Sequence, residues 1–93
     1  MPIQSFACSE TEMLFTENTT TKFTSIHSAA TRKLAMLNSA VKLNDLKSPP
    51  GNRLHPLTKE REGQHSISVN DQYRICFVWT DAGPAQVEIT DYH

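Results

Sequence analysis

The sequence predicts a small α+β domain, in the order β-α-α-β-β-β, with a mainly antiparallel sheet and the helices packed on one side. Three observations predict it. Residues 26–41 carry apolar side chains at helical spacing. Beyond residue 64, apolar and polar residues alternate instead, as in half-buried strands. The later segments are separated by turn residues rather than by helix-length crossovers, which favours antiparallel neighbours. Residues 1–93 are the length of one domain, with no internal repeat and no low-complexity segment.

Residues 2–7 (Pro-Ile-Gln-Ser-Phe-Ala) read as a short strand. Ser9 then opens a helix. Ser9 and Glu12 stand three residues apart, the spacing of a capping box in which side-chain oxygens satisfy free backbone N–H groups. Met13, Leu14 and Phe15 form the apolar side of that helix, and residues 17–21, rich in threonine, form a loop. In the second helix, Ile26, Ala30, Leu34, Leu37 and Val41 share one face. Thr24 or Ser25 is expected to cap its start, and Asn44-Asp45-Leu46 to add a last turn. The Met/Leu/Ala stripe reads as core.

Ser48-Pro49-Pro50-Gly51-Asn52 stops the helix and makes a rigid loop. Arg53 to Leu57 follow as an extended piece, because a residue before proline avoids the helical region. In such a piece Arg53 and His55 point to the same side. Residues 58–63 form a charged turn. In residues 65–69, His65, Ile67 and Val69 share a face. In residues 73–79, Ile75, Phe77 and Trp79 share one face and Arg74, Cys76 and Val78 the other. Asn70-Asp71-Gln72 is a hairpin turn, favoured by the tolerance of Asn and Asp for positive φ. Asp81 to Pro84 make the next turn, and Ala85 to Asp91 the last strand.

The net charge of −1 hides an asymmetry. Residues 1–31 sum to −2, residues 32–61 to +5 and residues 62–93 to −4. A positive middle on a near-neutral chain fits a local anion site better than broad adhesion to nucleic acid, and charge alone favours a solvated basic helix face over either. No apolar run approaches the roughly 20 residues that span a bilayer. The N-terminus lacks a basic stretch followed by an apolar one, so a cytoplasmic location is expected. Cys8 and Cys76 sit in ordinary apolar contexts and read as reduced thiols.

A few polar residues do not fit a surface-filler role. Arg74 lies inside the most hydrophobic strand. It is either a solvent-face residue or a fixed cation on a concave sheet, and its planar fork suits bidentate phosphate binding. His55 sits in a constrained His-Pro. His65 reads as a structural histidine and His27 as a solvated one. The last residues, Asp91-Tyr92-His93, put an acid, a phenol and an imidazole in a row. No His-x-x-His, paired cysteines or His-Glu-x-x-His suggests a metal site, and no glycine-rich loop suggests a nucleotide. What remains is a set of cations and proton carriers: Arg53, His55, Lys59, Arg61, Arg74, Asp91, Tyr92 and His93. RNA cleavage without a cofactor needs such a set. A base takes the 2′-OH proton, an acid protonates the leaving 5′-oxygen, and cations neutralise the pentacoordinate phosphate.

At these residues the sequence resembles a HigB-type toxin of the RelE/ParE superfamily, from a type II toxin–antitoxin system. The matching strings are Arg32 to Leu37, Pro49 to Leu54, His55-Pro56-Leu57, Arg61 to Ile67, Val69 to Arg74 and Asp91-Tyr92-His93, over nearly the whole chain. The resemblance implies a microbial-RNase-like fold and a ribosome-dependent mRNA endoribonuclease (an mRNA interferase) that acts in the ribosomal A site. It implies a HigA-type helix-turn-helix antitoxin as partner, in a heterotetramer. Carried over by position, the site residues are His55, Arg74, Asp91, Tyr92 and His93; Arg53, Lys59 and Arg61 are read beside them as cations that attract RNA, and no metal or cofactor is expected. In some relatives a lysine follows His-Pro-Leu; here that position is Thr58, and Lys59 lies one step further on. The other readings are a non-enzymatic module that binds ribosome or antitoxin, and, with little support, a cysteine-dependent hydrolase.

Overall fold

The helical stripe of residues 26–41 folds largely as its spacing predicts, and the rest of the chain wraps onto it. In the computed structural model, residues 1–91 are described; Tyr92 and His93, and the roles expected of them, lie outside the described residues. Two helices, α1 (Ser9–Glu17) and α2 (His27–Ser39), precede four strands. The strands are β1 (His55–Pro56), β2 (His65–Ser68), β3 (Tyr73–Thr80) and β4 (Gly83–Asp91). They form one antiparallel sheet in the order β1-β2-β3-β4. The architecture is the α+β class that the sequence predicts.

Ile26, Ala30, Leu34 and Leu37 of the stripe are buried against Ile67, Ile75, Phe77, Val87 and Ile89 of the sheet, with Leu14 and Phe23. Each leucine, isoleucine, valine or phenylalanine among them contributes roughly 1.5–3 kcal/mol when it leaves water, so this cluster holds helices and sheet together. Val41 departs from the expectation. It is 70% exposed, because α2 ends at Ser39 and Ala40 turns to extended backbone, which rotates the next side chain off the core face.

The expected caps differ too. Cys8, not Ser9, occupies the N-cap of α1, and its carbonyl accepts from Glu12 N–H. Ser9 is thus inside the helix and no capping box forms. Neither Thr24 nor Ser25 caps the second helix; both lie within a short 3₁₀ turn (Thr24–Ile26) that leads into α2. Asn18 ends α1 in the left-handed region, with its N–H donating to Leu14 O. This is an ordinary C-terminal device for an asparagine.

The strand expected at residues 2–7 is reduced to one parallel bridge, Phe6 to Val87. The reason lies in β4. Pro84 has no N–H to donate, and Gln86 adopts a positive φ at a bulge opposite Phe77, where the register slips between Cys76 and Val78. Only Val87 both donates to Ser5 O and accepts from Ala7 N–H. Further along the edge, Ile89 N–H donates to the hydroxyl of the buried Thr11 on α1. The edge is therefore covered by a segment and a helix rather than by another strand.

Two turns are made differently from the expectation. Among the described residues, neither Asn70 nor Asp71 takes a positive φ. Instead the Asn70 side-chain oxygen accepts from Gln72 and Tyr73 N–H at 2.8 and 2.7 Å, closing the β2–β3 hairpin. At the β3–β4 turn, Gly83 has φ +131°, and an added Cβ would stand 2.4 Å from Pro2 O, so only glycine fits.

The Pro-Pro-Gly-Asn loop is anchored from within. Asn52 is fully buried. Its amide donates to Leu46 O at 3.1 Å and Ser48 O at 3.3 Å, while its oxygen accepts from Lys33 Nζ on α2. Burial and the neighbouring Arg32 both lower the Lys33 pKa. Just before this loop, the Asp45 carboxylate accepts from Val41 and Lys42 N–H and holds the turn Leu43–Lys47.

Two outcomes follow. Asn52→Ala leaves a buried carbonyl, a partly buried one and an ammonium short of a partner, so urea unfolding should show a loss of about 2–3 kcal/mol; an unchanged midpoint would contradict the anchoring role. The backbone N–H groups of Lys42 and Val41 hold the Asp45 carboxyl below its ordinary value of 3.8. Its stabilisation is therefore present above that value and lost as pH falls through the lower folded value. The Tm gap between wild type and Asp45→Ala should narrow on acidification; a gap constant with pH would refute this.

Candidate functional site

The sheet has two pleats, and the core takes one of them. Ile67, Ile75 and Ile89 lie in register across β2, β3 and β4 on the helix side. The residues between them belong to the other side. There the register aligns His55, Ser66, Cys76 and Glu88 in one cross-strand row, and Ser68, Arg74 and Thr90 in the next. In these two rows the pleat turned away from the core is thus mostly polar, with the buried Cys76 among the polar groups.

Arg74 is fixed rather than free-swinging. Its Nη1 donates to Ser66 Oγ at 2.9 Å and lies 3.5 Å from His55 Nδ1. The side chain is half-buried, so it crosses β2 toward β1 instead of extending into solvent. Of the two readings of Arg74 in the sequence, the structure selects the fixed cation.

His55 is held at the start of the short strand β1. Its Nδ1 lies 2.9 Å from Arg53 O. A carbonyl only accepts, so Nδ1 carries the hydrogen and donates it. Nε2 is left with the lone pair in the neutral ring. Arg74 and His55 Nδ1 are then two donors side by side, and Arg74 places its hydrogen on Ser66. The expectation that Arg53 and His55 share one side of an extended chain does not hold. Arg53 has φ +50°, in the left-handed region, which breaks the alternation. It is the Arg53 carbonyl, not its side chain, that meets His55, and the guanidinium is exposed.

The other cations are placed as follows. Lys59 is exposed, with φ +58°, at the start of the turn Lys59–Arg61. It does not continue the extended run from His-Pro-Leu. Arg61 reaches across the polar pleat, and its Nη1 donates to Glu88 Oε1 at 2.8 Å and to Gln64 Oε1 at 3.1 Å. The Glu88 hydrogen bond is the largest cause of its raised pKa. Its charge is thus largely compensated by a residue that the sequence reading passed over.

Asp91 stands opposite Tyr73 at the end of β4, and its Oδ2 accepts from Gln72 Nε2 at 3.1 Å. By alternation it falls on the pleat of Ile89, whereas Arg74 and Thr90 fall on the other. The structure therefore brings His55 and Arg74 together, with Ser66, and places Asp91 on the opposite pleat, at the end of β4 beside Gln72. Cys76 is buried, with Sγ 3.5 Å from Thr90 Oγ1, and both cysteines are free. His65 stacks on Phe77 at 6.3 Å between ring centres. Its buried Nδ1 has no hydrogen-bond partner among the described residues, which departs from the satisfied structural histidine expected. His27 is tied by Nε2 to Asn18 O at 3.0 Å rather than simply solvated.

Ser66 and Glu88 are the site residues that sequence reasoning missed. The signal was present in Ser66-Ile67-Ser68, where serines at alternate positions of an interior strand mark a pleat that is not core.

Comparison with known proteins follows the same line. A family model described as the RelE-like toxin of the type II toxin–antitoxin system HigB matches residues 4–93. The chain belongs to the HigB-like toxin family. The resemblance read from the six strings therefore holds. Toxin HigB-1 of Vibrio cholerae serotype O1 is 47% identical over 57 residues, which is 61% of this chain and 60% of that protein. An uncharacterised protein of Haemophilus influenzae is 38% identical over 52 residues, 56% of this chain and 52% of that one. The match thus spans between about half and three-fifths of the length of these curated relatives. This HigB-like chain also has, among its described residues, no helix long and apolar enough to cross a membrane.

The Arg61–Glu88 pair is partly solvated, at 39% and 24% side-chain exposure. A double-mutant cycle with Arg61→Ala and Glu88→Ala should give a coupling of about 0.2–1 kcal/mol that shrinks in high salt. A coupling insensitive to salt would show that the pair is not an electrostatic clamp.

Proposed function

We propose that this HigB-like toxin is a ribosome-dependent mRNA endoribonuclease that stops translation by cutting messages in the ribosomal A site. The observation that carries this reading is the juxtaposition of His55 and Arg74. An imidazole with its Nε2 lone pair available stands beside a fixed guanidinium, 3.5 Å away, on a polar sheet face. One group can move a proton and the other can hold a phosphate.

In the proposed reaction a base removes the proton from the 2′-OH, and the 2′-oxygen attacks phosphorus. The bond from phosphorus to the 5′-oxygen breaks, and an acid protonates the leaving oxygen. The products are a 2′,3′-cyclic phosphate and a 5′-hydroxyl. His55 and His93 divide the base and acid roles. Arg74 stabilises the charge on the pentacoordinate phosphate. Tyr92 stacks on or positions a base, and Asp91 orients a histidine or holds the end of β4. Arg53 and Lys59, exposed beside His55 in the chain, draw in RNA, and Arg61 does so in exchange with Glu88. Each step uses protons and charges of the chain itself, with no cofactor or metal required. With so few groups and a net charge of −1, the chain depends on the ribosome to orient the message, and cleavage of free RNA should be slight.

The partner that fits a type II toxin is a HigA-type antitoxin with a helix-turn-helix domain, in a toxin–antitoxin heterotetramer within the cytoplasm. Thr58 in place of a lysine and the compensated Arg61 favour a second reading, a binding module without nuclease activity.

Primer extension on an mRNA translated with the protein separates the two. The wild-type chain should leave cuts ending in a 2′,3′-cyclic phosphate. His55→Ala, Arg74→Ala and deletion of His93 should each cut the rate by about 10²-fold or more. Intact message with the wild type, or unchanged cutting by Arg74→Ala, would sink the nuclease reading.

A further inference from the structure

Arg74 is a long, flexible side chain in a strand whose neighbours offer it several directions. Its in-register partners are Ser68 on β2 and Thr90 on β4. Neither is the group that Nη1 bonds. Nη1 runs diagonally across β2 to Ser66, whose hydroxyl accepts at 2.9 Å. Ser66 is fully buried and pairs in register with His55 on one side and Cys76 on the other. A buried hydroxyl that accepts from a cation makes a charge-assisted bond, stronger than a neutral one. Any apolar side chain at position 66 would leave Nη1 without this acceptor and put hydrocarbon beneath a charge.

We propose that Ser66 is a positioning residue that sets Arg74 against His55, and so fixes the spacing between the phosphate-holding cation and the proton carrier. The inference rests on the nuclease reading for its consequence, but the geometric part stands by itself. β1 is only two residues long and meets β2 through His55 and Pro56, with Leu57 N–H donating to Gln64 O just beyond them. The strand opposite His55 therefore presents one side chain to the site at that row, and it is Ser66. Ser66 bonds Arg74 while its backbone pairs with His55, so one residue holds both members of the site. The Arg53 carbonyl holds the same imidazole by the Nδ1 that stands 3.5 Å from Arg74 Nη1. The guanidinium is then presented at a constant place rather than sampling rotamers, which is the kind of preorganisation that a charge-stabilising group needs.

The test has two arms. In the first, nitrogen-detected NMR of the Arg74 guanidinium reports rotation of its Nη groups. Wild type should show hindered rotation, and Ser66→Ala, still folded, should show faster rotation than wild type. In the second, single-turnover cleavage on programmed ribosomes is measured for wild type, Ser66→Ala, Arg74→Ala and the double variant. Ser66→Ala should slow cleavage about tenfold at saturating ribosomes, with half-saturation nearly unchanged. It should cost nothing more in the Arg74→Ala background, because its effect runs through Arg74. Equal slowing in both backgrounds, or guanidinium rotation that ignores Ser66, would overturn the proposal. A wild type that never cuts would overturn the nuclease reading instead, and the NMR arm would still decide whether Ser66 holds Arg74.

Discussion

Everything in this molecule depends on the register among β2, β3 and β4. Ile67, Ile75 and Ile89 meet across three strands on the pleat that faces the helices, and that alignment commits Ser66, Arg74, Cys76, Glu88 and Thr90 to the other. A slip by one residue would bury a guanidinium among leucines and expose three isoleucines. The hydrophobic term therefore holds the polar face in place without touching it. The same constraint explains the bulge at Gln86, which absorbs one extra residue in β4 and lets Val87 return to the core beside Phe77.

The left wall of the site is built by a different kind of force. β1 has little of its own to hold it, since two residues pair with β2. Its approach is set instead by the loop before it. Asn52 ties that loop to Leu46, Ser48 and Lys33 from a fully buried position, and Arg53 then turns through the left-handed region. That turn aims the Arg53 carbonyl at His55 Nδ1 and so chooses which ring nitrogen keeps its lone pair. A conformation unusual for arginine is tolerated because the chain on either side is over-determined by packing and hydrogen bonds.

Charge on the site face is less positive than a list of its arginines suggests. Arg61 is spent on Glu88 and Gln64, and Arg74 is anchored to Ser66. Glu88 and Cys76 stand on the same row as His55 and Ser66. A face with one anchored cation and one compensated cation among its described residues attracts a polyanion weakly, which accords with the proposed dependence on the ribosome for binding strength and orientation.

The sequence by itself determined which segments are helical and which are extended, because periodicity is a local property that side-chain burial must respect. The stripe from Ile26 to Leu37, the alternation in β2 and β3, and the two hairpins are all legible in the order of residues. So is the family, through strings distributed along nearly the whole chain. The caps were less legible, since Ser9, Thr24 and Ser25 are local signals that neighbouring backbone geometry overrode. The short first strand was not legible, because its fate turned on the missing N–H of Pro84 and the bulge at Gln86, which belong to another segment. Only the tertiary structure decided that His55 meets Arg74, 19 residues away, and that Arg61 meets Glu88, 27 residues away. Such meetings depend on register and on one left-handed residue. Composition and spacing carry no record of either, because both are set by how distant pieces of chain share a single core.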